Sequence, residues 1–235
     1  MAQAHKQITP ASGGLRLAGP LSGQGLALAL QKGDCLVALD GIPFVGDEAT
    51  LSASSAAAFK SRVAMTFRRG DVELTVIAKG CKVGRWEKVP PFANTQRQPL
   101  SVHLMCNWEI VRATDGRYDI FAQDSSIVTL ILAPIWLLQM RLWGLFAALG
   151  ATIALGTVVA PLLGALLYLA ASLNVWRLGP SYLRQDRTTR GLKLHAVLAA
   201  ATEADAHAAY CQMYPTACFV FGVAAARAET VSRAA

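Results

Sequence analysis

Four histidines, five cysteines and fifteen carboxylates are the side chains from which this 235-residue chain could build a catalytic or metal site. The histidines, His5, His103, His195 and His207, are dispersed. His103 and Cys106 lie three apart, but a zinc site needs a further ligand pair and none follows, so both read as structural. No HExxH supplies the ligands and base of a zinc protease. No Gly-x-Ser-x-Gly presents a nucleophile. Gly13-Gly14 and Gly23-Gln24-Gly25 lack the Lys-Ser/Thr that completes a phosphate-binding loop. Cys35, Cys81, Cys106, Cys211 and Cys218 have no metal or redox spacing and read as reduced cytosolic thiols. The sequence therefore predicts no catalytic residue, no metal, no cofactor and no enzymatic activity.

One ionisable residue stands out by its surroundings. Between Ser125 and Trp176 the ionisable side chains are Arg141 and Tyr168 alone. An arginine inside hydrocarbon marks function by default, because its desolvation is costly. The other reading places Arg141 at a boundary, with its guanidinium reaching the headgroups. The breaks around it favour the boundary.

The elements that position Arg141 are apolar. A helix crosses the roughly 30 Å hydrocarbon core with about 20 apolar residues, and Ser126–Trp176 is long enough to cross twice as a transmembrane helical hairpin. Pro134 removes a helix hydrogen bond and predicts a kink. Residues 126–140 then form a short interfacial or re-entrant helix, and the spans lie near 142–159 and 161–176. Trp136 and Trp143 are interfacial aromatics by type. Gly144, Gly150, Gly156 and Gly164 offer a small-residue face for close helix packing, or are filler in an alanine-rich run. Arg177 and Arg184, with Arg187, Arg190 and Lys193, follow the last span closely. Such a cluster marks the cytoplasmic side and can touch anionic lipid headgroups. The net charge of +7 is explained by this topology and predicts no nucleic-acid partner. The N-terminus has no apolar core of a signal peptide, so both termini are expected in the cytoplasm.

The remaining chain reads as small α and β elements. Residues 1–13 are expected as a loose arm, Leu15–Ala18 as a strand and Leu26–Leu30 as a short helical turn. Cys35–Leu39 is a strand between turns, and Ala49–Lys60 a helix. Val63–Phe67 and Val72–Ala78 form a hairpin through Arg68-Arg69-Gly70-Asp71. Residues 81–100, with three prolines, read as a linker. Val102–Glu109 and Tyr118–Phe121 pair around Asp115-Gly116, and Leu192–Leu198 is a strand. Thr202 caps a helix running to about Met213. Ala217–Ala226 is a strand or a surface-bound helix.

Gly25-Leu26 and the run Lys32-Gly33-Asp34-Cys35-Leu36-Val37-Ala38-Leu39-Asp40-Gly41, with the hairpin VAMTFRRGDVELTVIAKG, resemble a bacterial PDZ domain. The structural turn residues that carry the resemblance are Gly33, Asp34, Asp40 and Gly41. Gly33 permits a left-handed backbone, and Asp34 bonds local amides. The resemblance implies peptide binding by strand addition. The family's glycine-rich carboxylate loop and groove strand are not recognisable in the roughly 14 residues before Leu15, so no ligand residue is assigned. Residues 108–213 resemble a family of small bacterial inner-membrane proteins of unknown function. The match rests on Ala133–Leu138, Arg141-Leu142-Trp143, Arg190-Gly191-Leu192 and Ala199–Ala206. It implies topology and no chemistry. A PDZ domain beside a span is similar to membrane-embedded proteases, but the intramembrane acids or histidines that such enzymes need are absent.

The expected fold class is α+β: a PDZ-like domain (1–80), a linker and juxtamembrane segment (81–125), a transmembrane hairpin (126–176) and a short α/β cytoplasmic tail (177–235). The expected function is a non-enzymatic interaction or adaptor protein, multi-pass in the bacterial inner membrane. Its partners are the lipid bilayer and unidentified membrane or cytoplasmic proteins. The alternatives are an accessory or assembly subunit of a larger membrane complex, and a small oligomeric transporter component built around Arg141.

Overall fold

The computed structural model describes residues 13–57, 62–90 and 99–221. The fold is mixed α+β, with seven α-helices and two sheets among the described residues. The chain divides into two compact units, Met1–Ile110 with His195–Thr216, and Val111–Leu194 with Ala217–Ala235. Residues 1–12 of the expected arm, the end of the Ala49–Lys60 helix, residues 91–98 of the linker and the end of the Ala217–Ala226 run lie outside the described residues.

The first unit is built on one sheet. Its strands are β1 (Gly14–Leu21), β2 (Cys35–Leu39), β3 (Ile42–Pro43), β4 (Val63–Arg69), β5 (Val72–Ala78) and β6 (Gly84–Val89). They run in the order β5-β4-β2-β1-β6, with β3 on β2. Asp40-Gly41 makes the two-residue loop between Leu39 and Ile42. Both residues have positive φ, 50° and 82°, the geometry for which Asp-Gly is suited. The Asp40 carboxylate also accepts the Ala64 amide at 2.9 Å. Gly70-Asp71 closes the β4–β5 hairpin, with Arg69 opposite Val72. Helix α1 (Gly23–Ala27) starts three residues before the expected turn, because Ser22 caps it by accepting the Gly25 amide. Helix α2 (Glu48–Ala57) follows Asp47, whose carboxylate accepts the Thr50 amide and hydroxyl at 3.0 and 2.9 Å. Leu15, Leu17, Leu36, Phe67 and Val76 are buried.

The segment expected as a linker is largely folded. Gly84–Val89 pairs antiparallel with β1. In GRWEKV, Trp86 is buried and stacked on Phe67, with ring centroids 6.2 Å apart, while Arg85 and Glu87 face out. The nearby prolines conceal this alternation, and the strand ends before Pro90. A 3-10 turn at Val102–Leu104 and strands β7 (Cys106–Arg112) and β8 (Arg117–Ala122) complete the segment. The Asn107 side chain accepts from the Ile77 amide at 2.8 Å and donates to its carbonyl at 2.9 Å, as a neighbouring strand would. Strand β9 (Lys193–Ala200) leads to α7 (Glu203–Met213), capped by Thr202 as expected. The second sheet has the order β10-β8-β7-β9, where β10 is Cys218–Phe219 and pairs in parallel with β8. The division between the units runs within β7 and β9.

The second unit holds the apolar helices α3 (Ile127–Ile131), α4 (Ala133–Gln139), α5 (Trp143–Val159) and α6 (Pro161–Thr189). Pro134 opens α4 instead of kinking a longer helix, since the first helical turn needs no donor there. Helix α6 runs 13 residues past the expected end at Trp176, through Pro180. It is the one helix among the described residues that is long and apolar enough to cross a bilayer. Only 22% of its most apolar stretch is buried, whereas the core helix of a soluble protein is mostly buried. Where the sequence predicts two spans, the second apolar helix, α5, has 17 residues, about 25 Å of rise.

Candidate functional site

Helix ends create the site. At the end of α4, the Leu142 amide donates to the Leu137 carbonyl and the Arg141 amide to that of Leu138, at 2.9 and 3.0 Å. At the end of α6, Leu192 donates to Arg187 and Gly191 to Thr188, at 2.9 and 3.0 Å. Both are Schellman closures, in which the residue after the helix turns left-handed and the next one packs back. Gly191 occupies that position in α6 with φ 84°. Arg141 occupies it in α4 with φ 58°, a conformation that costs a side-chain-bearing residue about 1–2 kcal/mol. Leu137 and Leu142 provide the accompanying apolar contact, in one buried cluster with Val111, Phe121, Leu149, Val175 and Leu183.

Arg141 therefore lies between α4 and α5, outside both helices. Its guanidinium carbon stands 4.2 Å from the centre of the Phe221 ring, and no ion pair reaches it among the described residues. Within the same unit, Arg187 is buried. It donates to Asp119 at 2.5 Å, to Asp186 at 2.5 Å and to the Met140 carbonyl at 3.2 Å. Asp186 also accepts Arg190 at 3.0 Å. The network ties strand β8 and the end of α4 to the last turn of α6. A buried ion pair of this kind stabilises chiefly in that neither charge tolerates loss of the other.

Around these charges lies a groove of about 420 Å³. Its walls are Arg141–Leu145 on one side and Tyr182, Gln185, Asp186, Thr189 and Arg190 on the other. No side chain caps the start of α5. Trp143, largely exposed, lines the groove. Trp136 instead packs across α6 on Gly179, where an added Cβ would stand 2.8 Å from the ring. Arg177 is exposed and Arg184 half-buried on α6.

Beyond the groove, the helices present apolar side chains outward. Leu155, Val158, Val159, Leu162 and Leu169 are all exposed. Gly156 and Gly164 are buried where α5 meets α6, and a Cβ on Gly164 would overlap Thr157. A Cβ added at Gly144 or Gly150 would meet nothing beyond its own helix within 4 Å, so both positions face open space. The four glycines thus do not form one packing face.

No family model, curated protein or solved structure matches this chain.

The four turn residues of the first unit are structural. Asp34 is buried and accepts the Gln31 amide at 2.8 Å and Arg69 through both oxygens at 2.8 and 2.7 Å. Burial pushes the Cys35 thiol up from its ordinary value, which keeps the thiolate scarce. Sequence reasoning placed Arg141 and Trp143 at a boundary, and they share the groove. It missed Asp119, whose signal was a carboxylate between Tyr118 and Ile120 in a strand that is otherwise apolar after Arg117. Arg187 and Arg190 were read only as charge: Asp119 lies 68 residues from Arg187, and the sharing of Asp186 by both arginines shows only in the folded helix end.

Proposed function

We propose that this chain is a non-enzymatic, membrane-anchored interaction protein of the bacterial inner membrane. Helices α5 and α6 serve as a helical hairpin that crosses the bilayer twice, with both termini cytoplasmic. Helices α3 and α4 lie in the interface. The first unit serves as a PDZ-like module that engages partner proteins. The observation that carries the reading is the exposed apolar surface of α5 and α6, from Val158 at 86% exposure to Leu169 at 63%. In water such a surface would drive aggregation, and in lipid it is solvated. Ile127, Ile131 and Ile135 are likewise exposed on α3 and α4. Support for the module comes from the Asp34 and Asp40 turns and from β6, which lies along β1 and leaves its own outer edge unpaired among the described residues.

Capture of the tagged full chain in mild detergent tests this reading. It predicts that partner proteins are recovered, and that they are lost when the first unit is replaced by an unrelated domain. Recovery of the chain alone, under conditions that preserve known complexes, contradicts it. The open faces of Gly144 and Gly150 favour a second reading, an accessory subunit that docks through its helices, since small residues let membrane helices approach closely. Replacing α5 and α6 with an unrelated hairpin separates the two. Complexes survive under the first reading and are lost under the second.

A further inference from the structure

We propose that the groove between Arg141–Leu145 and the end of α6 binds the phosphodiester group of an anionic phospholipid. This inference rests on the membrane-anchored reading above and adds a defined lipid site to it. Its first support is the state of the charges. Arg141 is exposed and, among the described residues, has no carboxylate partner. The Phe221 ring fixes the guanidinium by a cation–π contact without neutralising it. Asp186, the one acid in the groove wall, is already shared by Arg187 and Arg190. It opposes an incoming anion, but its charge is spent on two arginines. The groove therefore offers a whole positive charge at Arg141, with the paired guanidinium of Arg190 on the other wall.

The second support is the mixed character of the walls. Leu142, Trp143 and Leu145 are apolar, whereas Gln185 and Thr189 present polar groups. A free inorganic anion uses only the cations. A phospholipid uses both kinds of wall, with the phosphate on Arg141, glycerol hydroxyls toward Gln185 and Thr189, and the acyl chain beside Trp143. The volume of about 420 Å³ lies in the range that holds a small organic group. The third support is position. The groove lies where the exposed apolar surface of α5 begins, the level at which a headgroup phosphate sits if α5 enters the bilayer.

Quenching of Trp143 fluorescence by brominated lipid tests the proposal. The full chain is placed in phosphatidylcholine vesicles that carry the same small fraction of brominated phosphatidylglycerol or brominated phosphatidylcholine. The wild-type chain is expected to be quenched more by the phosphatidylglycerol, and the excess disappears in Trp143→Phe. In Arg141→Gly the preference falls about fivefold, the share of one arginine near an anionic lipid. Glycine is at ease at φ 58°, so this variant keeps the fold. Equal quenching by the two lipids, or an unchanged preference in Arg141→Gly, overturns the lipid site. Loss of the preference on adding millimolar inorganic phosphate also overturns it, in favour of a free-anion site. Absence of quenching by either lipid sinks the membrane reading itself, so the two failures are distinguishable.

Discussion

Leu17 and Val158 are both aliphatic, and their surroundings are opposite. Leu17, in β1, is 0% exposed, and Val158, in α5, is 86% exposed. The first unit removes its apolar side chains from water by sheet packing, with Phe67 stacked on Trp86. The helices of the second unit bury glycines and small residues between them and turn leucine and valine outward. Both units bury polar groups, Asp34, Asn107 and Glu109 in the first and Asp119 and Arg187 in the second. The buried carboxylate of Asp119 pairs with buried Arg187 inside the helical unit, whereas Asp34 pairs with a partly exposed Arg69 at a turn of the sheet unit. The units therefore differ less in buried charge than in the apolar side chains that the helices of the second leave exposed.

Substitutions break or sharpen this contrast. The largest effects are expected at the buried ion pair and in the core of the sheet. Asp119→Ala leaves buried Arg187 with Asp186 as its one remaining carboxylate and should destabilise the second unit by about 3 kcal/mol. Thermal unfolding in detergent measures it, and adding Arg187→Leu should recover much of the loss. Leu17→Ala should cost about 3 kcal/mol through the cavity it leaves, read by the same unfolding. Val158→Ala, an equal kind of truncation on an exposed side chain, should change stability by less than about 0.5 kcal/mol. A large loss from Val158→Ala would show that this surface is covered by protein. Gly164→Leu forces α5 and α6 apart at Thr157 and should cost about 2 kcal/mol. Arg141→Gly should raise stability by about 1 kcal/mol by relieving the left-handed arginine, the one substitution of the set with that sign.

The smallest effect concerns pH. Amide and hydroxyl hydrogen bonds from Thr50 hold the Asp47 carboxyl below its usual range. A depressed folded value means that the cap contributes fully above the unfolded carboxylate range and is lost as pH falls through the folded value. Asp47→Asn should flatten that part of the acid side of the unfolding profile.

Much of the first unit was legible because its signals are local. Asp40-Gly41 and Gly70-Asp71 specify turns from adjacent residues, and Thr202 caps its helix from three residues away. The edge strand β6 was not legible, because only burial of Trp86 against Phe67 distinguishes it from a proline-rich linker. The length of α6 was not legible because the apolar run ends at Trp176, where the basic residues from Arg177 onward begin, whereas the helix continues through Pro180 beside the Gly179–Trp136 contact. Of the site, Arg141 was legible as a boundary residue from the break after Gln139. Its left-handed backbone was not, since arginine carries no turn preference and the conformation is imposed by the Leu137–Leu142 contact. The pairing of Asp119 with Arg187 spans 68 residues, and no pattern within one sequence encodes it.

The central claim is that the outward leucines and valines of α5 and α6 face lipid. Alkaline carbonate extraction of membranes from cells expressing the full chain tests it most directly, because it strips peripheral proteins and leaves integral ones. The account predicts that the chain remains in the membrane pellet. Its release into the supernatant, intact and soluble, would contradict it.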